Sequence, residues 1–249
     1  MDNGYFSDKG IPANNNNEGM KVNSLGYRCP EFTPLPQGKK NVVILGCSHT
    51  FGVGHAEETY WVAHLSKHNT KLLRYWNLAA PGCSADRMVR ILYGTEKVLF
   101  PKIIICCWPS VSRREHLDKI PIHLFGRDKQ LRYETDITDH QNFLKNLFFV
   151  QKFADYNHAK VFHCFAEELP TLDGSTTSFA TMTNPANINV MDYATLKSCW
   201  PPWDQYLGEG SRRERITDPN IAQDGVHYGE KHHKGFAALL LNKFSSKLK

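Results

Sequence analysis

Long hydrophobic runs are missing from this chain of 249 residues. No apolar stretch approaches the roughly 20 residues that a helix needs to span a bilayer, so no membrane span is expected. The opening residues, Met1-Asp2-Asn3-Gly4-Tyr5, lack the basic and apolar regions of a signal peptide. The seven cysteines form an odd set without framework spacing, which argues for reduced thiols and against a disulfide scaffold. A cytoplasmic location is the expectation from these two absences, with export or carriage on a particle left open. Charge of one sign is also scarce, at a formal +5. The clusters Arg113-Arg114 and Arg212-Arg213-Glu214-Arg215 are each followed or interrupted by an acid. They read as solvated surface, with a site for an anionic substrate as the alternative. There is no continuous basic stripe and no nucleic-acid-binding motif, so no nucleic-acid partner is expected. There is no internal repeat.

What is present is ordinary for a soluble α/β protein: 41% hydrophobic residues and enough length for one sizeable core. Residues 1–40 are polar, with the run Asn14 to Asn17 and then Pro30, Pro34 and Pro36. They read as an arm, extended or partly disordered. Residues 41–249 read as the folded domain, with insertions at about 112–139 and 167–223. The pattern predicts strands at 41–46, Leu72 to Leu78, 103–107, Ala159 to Phe165 and, shorter, Ile188 to Val190. Helices are expected over Thr59 to Lys67, Ala85 to Phe100 (capped by Ser84), His140 to Asn157, Asp192 to Ser198 and Gly229 to Leu248. Strands alternating with helices imply βαβ units and a parallel sheet covered on both faces.

The stretch Asn41 to Gly54 organises the rest. Its apolar run Val42-Val43-Ile44-Leu45 suits a strand buried on both faces. Gly46-Cys47-Ser48 follows, so Ser48 stands at the carboxyl edge of the sheet, where open α/β folds keep their ligand sites. At the other end Asp224-Gly225-Val226-His227 precedes a final amphipathic segment. A serine nucleophile needs a base and a third group to fix the imidazole tautomer, and an aspartate three residues before a histidine can supply both from one turn.

Together these blocks resemble the SGNH (GDSL-like) hydrolases, which carry the serine in an early G-x-S-x-T-x-G block and the other two residues in a late D-x-x-H block. Asn77 to Ser84, NLAAPGCS, resembles the second block of that family, and Asn23 to Arg28, NSLGYR, resembles a lead-in found in some bacterial members. The resemblance implies a three-layer α/β/α sandwich on a five-stranded parallel sheet of flavodoxin-like order. It implies a Ser48-His227-Asp224 triad, with the backbone N–H groups of Ser48 and Gly82 in the oxyanion hole. The family's third block, G-x-N-D, is absent. Ile103 to Cys107 runs into Trp108-Pro109-Ser110, which puts Ser110 in the asparagine slot. Losing one oxyanion donor costs about 3 kcal/mol, and a serine hydroxyl can donate one bond in its place.

The implied activity is hydrolysis of a carboxylic ester, with O-acetyl groups on a carbohydrate as the finer reading. The same triad could serve an O-acyltransferase, and a site without the asparagine could be a weakened glycan-binding or structural module. Trp108, Trp200 and Trp203 are candidate substrate-binding residues; the last two, with Tyr206, read first as loop packing, with an aromatic wall for a sugar ring as the alternative. No cofactor and no metal are expected. Cys47 reads as a small packed residue, Cys106-Cys107 as core, and His232-His233 as a solvated helix start.

Overall fold

The computed structural model describes residues 20–115, 136–166, 189–190, 196–201, 211–215 and 217–248. Four parallel strands form its centre: β1 (Lys40–Gly46), β2 (Leu73–Asn77), β3 (Ile103–Trp108) and β4 (Lys160–Phe165). They lie side by side in the order β2-β1-β3-β4. Val42 stands opposite Tyr75 on one side and Ile103 on the other, and Ile105 stands opposite Phe162. Beyond β4, Asn189–Val190 pairs in parallel with Phe162 and His163 over two residues. The flanking residues of that fifth segment lie outside the described residues.

The burial follows the sequence. Val42, Val43, Ile44 and Leu45 are all fully buried, as are Ile104, Cys106 and Cys107. A strand covered on both faces has no polar alternation, and each such side chain contributes about 1.5–3 kcal/mol of transfer energy. Among the described residues the helices are α1 (Ser48–Phe51), α2 (Trp61–Leu65), α3 (Ala85–Leu99), α4 (Asp136–Asn157), α5 (Arg212–Arg215) and α6 (Glu230–Phe244). α2 packs against α6, and α3 against α4. Right-handed crossovers over the order β2-β1-β3 put these two pairs on opposite faces. Ser84 caps α3 as expected, its hydroxyl accepting from the Arg87 N–H at 3.2 Å. Met88, Ile91, Leu92 and Leu99 of α3 are buried, as are Phe143, Leu147, Val150 and Ala154 of α4 and Phe236, Leu240 and Phe244 of α6.

Some boundaries move. The expected insertion at 112–139 ends earlier, because 136–139 already form the first turn of α4. Asp139 there takes an ion pair from Arg114 at 3.0 Å. Residues 20–39 carry turns and no helix or strand. Of the expected helix 192–198, the first residues lie outside the described residues. Among the described residues, no helix is long and apolar enough to cross a membrane.

The strand order places a switch at β1. The chain leaves β1 towards β2, then returns across it to β3, so the carboxyl ends of β1 and β3 open a crevice between diverging connections. Ser48 follows β1 at that crevice. Gly46 is required there: a Cβ on it would lie 2.2 Å from Thr50 Oγ1 and 3.0 Å from the Cys107 carbonyl. Only a bare α-carbon lets α1 fold back over the end of the strand.

Candidate active site

α1 is a single turn. Cys47 stands at its N-cap in extended backbone, and Gly52 closes it in the left-handed region at φ 85°, with its N–H on the Ser48 carbonyl at 2.8 Å. Ser48 itself is 9% exposed. The second block lies beside it. Asn77, the last residue of β2, donates from Nδ2 to the Thr50 carbonyl at 3.1 Å and accepts from the Ala79 N–H at 3.2 Å. The Ala80 N–H reaches the Gly46 carbonyl at 3.1 Å, and Gly82 follows at φ 69°. Ser110 follows β3, half-buried, with its hydroxyl 3.1 Å from that of Ser112. Ser48, Gly82 and Ser110 thus follow three parallel strands at one edge of the sheet.

The D-x-x-H segment is a self-contained turn. Asp224 Oδ1 accepts from the backbone N–H groups of Val226 and His227, both at 3.0 Å, and Oδ2 meets His227 Nδ1 at 2.5 Å. Burial pushes the Asp224 carboxyl up. The hydrogen bonds from the His227 ring and from the two backbone N–H groups outweigh it and bring the group down to about 2. An ionised carboxylate on Nδ1 keeps the proton there and leaves Nε2 with its lone pair. The turn is pinned by Ala222, whose N–H donates to the His227 carbonyl at 2.8 Å, and by Arg215, whose Nε donates to the Gly225 carbonyl at 3.1 Å.

The two distant ends of the chain meet. The Gln223 N–H donates to the Gly54 carbonyl at 3.2 Å, and His55 Nε2 donates to the Tyr228 carbonyl at 2.7 Å. Gly54, at φ 76°, approaches so closely that a Cβ would lie 2.9 Å from Asp224 Cγ. His49 carries the contact further: its ring centroid is 5.1 Å from that of His227, edge to face, and 5.0 Å from that of Tyr228. Ser48 stands one residue from that contact.

His49, His55 and Tyr228 were not singled out from sequence. They mark the junction, and a histidine directly after the serine was the available signal. Burial holds His49 well below the ordinary imidazole range, helped by the neighbouring His227 and Arg113. His49 therefore stays neutral beside the Asp224–His227 pair.

Trp108 corrects the substrate-binding expectation, and Trp200 follows the packing reading. Trp108 is fully buried, stacked on His163 and donating from Nε1 to His163 Nδ1 at 3.0 Å. Trp200, 2% exposed, packs among His49, Tyr228, His233 and Phe236. Both rings spend their faces on the core; Trp203 and Tyr206 lie outside the described residues. His233 is a second correction. It is fully buried and accepts the Trp61 N–H on Nδ1 at 3.0 Å, because α6 docks that face on the start of α2. Cys47, Cys106 and Cys107 are buried as expected, and all seven cysteines are free of disulfides. Among the described residues, no three His, Cys, Asp or Glu side chains gather where they could hold a metal ion.

No protein-family model matches the chain, and no curated protein matches it in sequence. Solved structures do match. The psychrotrophic esterase EstA from Pseudoalteromonas sp., in a structure inhibited by monoethylphosphonate, aligns over 84% of this chain and 99% of its own at 15% identity and a TM-score of 0.50. LAE5, an alpha/beta hydrolase enzyme from the metagenome of Lake Arreo, aligns over 83% of this chain and 95% of its own at 15% identity, also with a TM-score of 0.50. A member of the lipolytic G-D-S-L family from Veillonella parvula aligns over 83% and 98% at 15% identity, with a TM-score of 0.44. The fold shared with EstA and LAE5 is an α/β architecture on a parallel sheet.

Proposed function

We propose that the chain is a serine esterase of the SGNH type, hydrolysing a carboxylic ester through Ser48, His227 and Asp224. One observation carries the reading: the Asp224–His227 pair is locked against the segment that begins with Ser48, through Gly54 and His49. The structural neighbours EstA, an esterase, and LAE5, an alpha/beta hydrolase, agree with it.

In this mechanism Ser48 Oγ attacks the ester carbonyl carbon while His227 Nε2 takes the hydroxyl proton. Asp224 holds Nδ1–H and stabilises the imidazolium that forms. The carbonyl electrons move onto oxygen, and the backbone N–H groups of Ser48 and Gly82 and the Ser110 hydroxyl would donate hydrogen bonds to that oxyanion. The oxyanion collapses, the alcohol leaves with the proton from His227, and Ser48 is left acylated. Water, deprotonated by His227, then releases the acid. With Trp108 and Trp200 in the core, nothing in the described residues singles out a sugar as the alcohol.

The test is hydrolysis of short p-nitrophenyl esters. Wild type turns them over, and Ser48→Ala falls by about 1,000-fold or more. A p-nitrophenyl phosphonate, losing p-nitrophenol, adds the mass of its phosphonyl group to the peptide containing Ser48 in wild type alone. Equal hydrolysis by the two proteins would dispose of the reading.

A further inference from the structure

The segment before β1 ends in a guanidinium that serves one loop. Asn23 Oδ1 accepts from the Leu25 and Tyr27 N–H groups at 3.1 and 2.9 Å, and the Asn23 N–H returns to the Tyr27 carbonyl at 2.8 Å. This closed turn delivers Arg28 into the body, where it is 5% exposed. Its Nη1 donates to the carbonyls of Phe51 at 3.2 Å and Gly52 at 2.5 Å, and its Nη2 to that of His55 at 2.7 Å. The Tyr60 ring lies under the guanidinium at 4.2 Å, and the Phe51 ring at 5.9 Å.

Those three carbonyls belong to the end of α1 and the loop after it. A helix of one turn leaves its last carbonyls without partners and does not hold itself together. Ser48 begins that turn, so its direction depends on partners from outside. Asn77 grips the turn at the Thr50 carbonyl, and Arg28 grips it at the next two and again at His55. Burying a guanidinium is costly, and here the compensation comes from carbonyl oxygens and a ring face. A lysine could not copy it, because an ammonium lacks the planar fork that reaches separated acceptors.

We infer that Arg28 is a positioning residue: by holding the Phe51, Gly52 and His55 carbonyls it fixes the turn that aims Ser48 at His227. The inference rests on Ser48 being the nucleophile. Arg28 acts through the backbone carbonyls it holds and is not itself one of the reacting groups.

The test uses the full chain as wild type, Arg28→Lys, Arg28→Met and Ser48→Ala, with p-nitrophenyl acetate kinetics, circular dichroism and hydrogen exchange of peptides covering 47–56 and 103–108. Arg28→Lys is expected to fold and keep its KM while kcat falls about 100-fold, the size of loss that an ångström of misplacement produces. Exchange should quicken over 47–56 and stay unchanged over 103–108. A folded variant with wild-type kcat, or with wild-type exchange in the loop, overturns the inference. Hydrolysis by Ser48→Ala at the wild-type rate would remove the nucleophile and not the clamp, which the loop's exchange then supports or overturns by itself. If neither Arg28 variant folds, Arg28 is a structural residue and the inference falls.

Discussion

The carboxylate of Asp224 divides its two oxygens between two tasks. Oδ1 closes the turn on the Val226 and His227 N–H groups, and Oδ2 holds the imidazole. An asparagine could keep the first bond and would corrupt the second: its amide NH2 would donate to Nδ1 and send the ring proton to Nε2, the atom that must accept. Asp224→Asn is therefore expected to fold and to lose about 1,000- to 10,000-fold in kcat on p-nitrophenyl esters. Retention of more than a tenth of the activity would count against Asp224 as the orienting group. The pH sense is fixed by the same contacts. The folded group sits at about 2, below its ordinary 3.8. Its stabilising contribution is complete above 3.8 and disappears only as pH falls towards 2. Asp224 accordingly stays ionised throughout the range in which hydrolysis would be assayed.

Between elements, Asp86 is one of the side chains that tie α3 to α4. Asp86, in the first turn of α3, accepts from Asn142 Nδ2 at 3.2 Å and Asn146 Nδ2 at 2.9 Å, both on α4, and from the Glu115 N–H at 3.3 Å. Asn146 is 3% exposed, so removing its acceptor leaves a buried amide short of a partner. Asp86→Ala should cost about 1–3 kcal/mol, read as a lower urea midpoint at unchanged slope. An unshifted midpoint would mean that water replaces the carboxylate at no cost. This tie illustrates what the sequence could and could not disclose. β1 and the Asp224–His227 turn were legible because each is made by neighbours in the chain: four apolar residues in a row, or two residues three apart. Trp108 and His233 were misread, and Trp200 was left with two readings, because their surroundings are set by which distant elements cover them. His233 lies under the start of α2, and Trp200 under residues of α6 and the junction. Arg28 could be seen as part of a motif, but not its role, since its partners are backbone carbonyls that carry no residue signature.

At the scale of the molecule, the interior holds imidazoles that resist protonation. His49, His55, His163 and His233 are all lowered, with burial the largest cause in each, and His163 falls to about 3. An unfolded chain would protonate these rings near 6.5, while the folded chain does so only at lower pH, and His163 only at about 3. Between those limits the unfolded state binds more protons, so stability rises with pH and is lost as pH falls through the window from 6.5 towards about 3. The alkaline side has the opposite sign. Burial raises Cys29 to about 12 from 9.0 and Tyr75 to about 12 from 10.0, so the unfolded chain releases protons first and stability declines as pH rises above 9.0. The melting midpoint is therefore expected to be level between about pH 7 and 8.5 and to fall on either side, well before the carboxylates titrate. His163→Gln sharpens the test. The glutamine carbonyl can still accept the Trp108 indole N–H but cannot titrate, so the acid limb should become shallower in the variant. A midpoint that holds steady from pH 7 down to 4.5, or an acid limb equally steep in the variant, would show that these rings are not what makes the folded chain sensitive to acid.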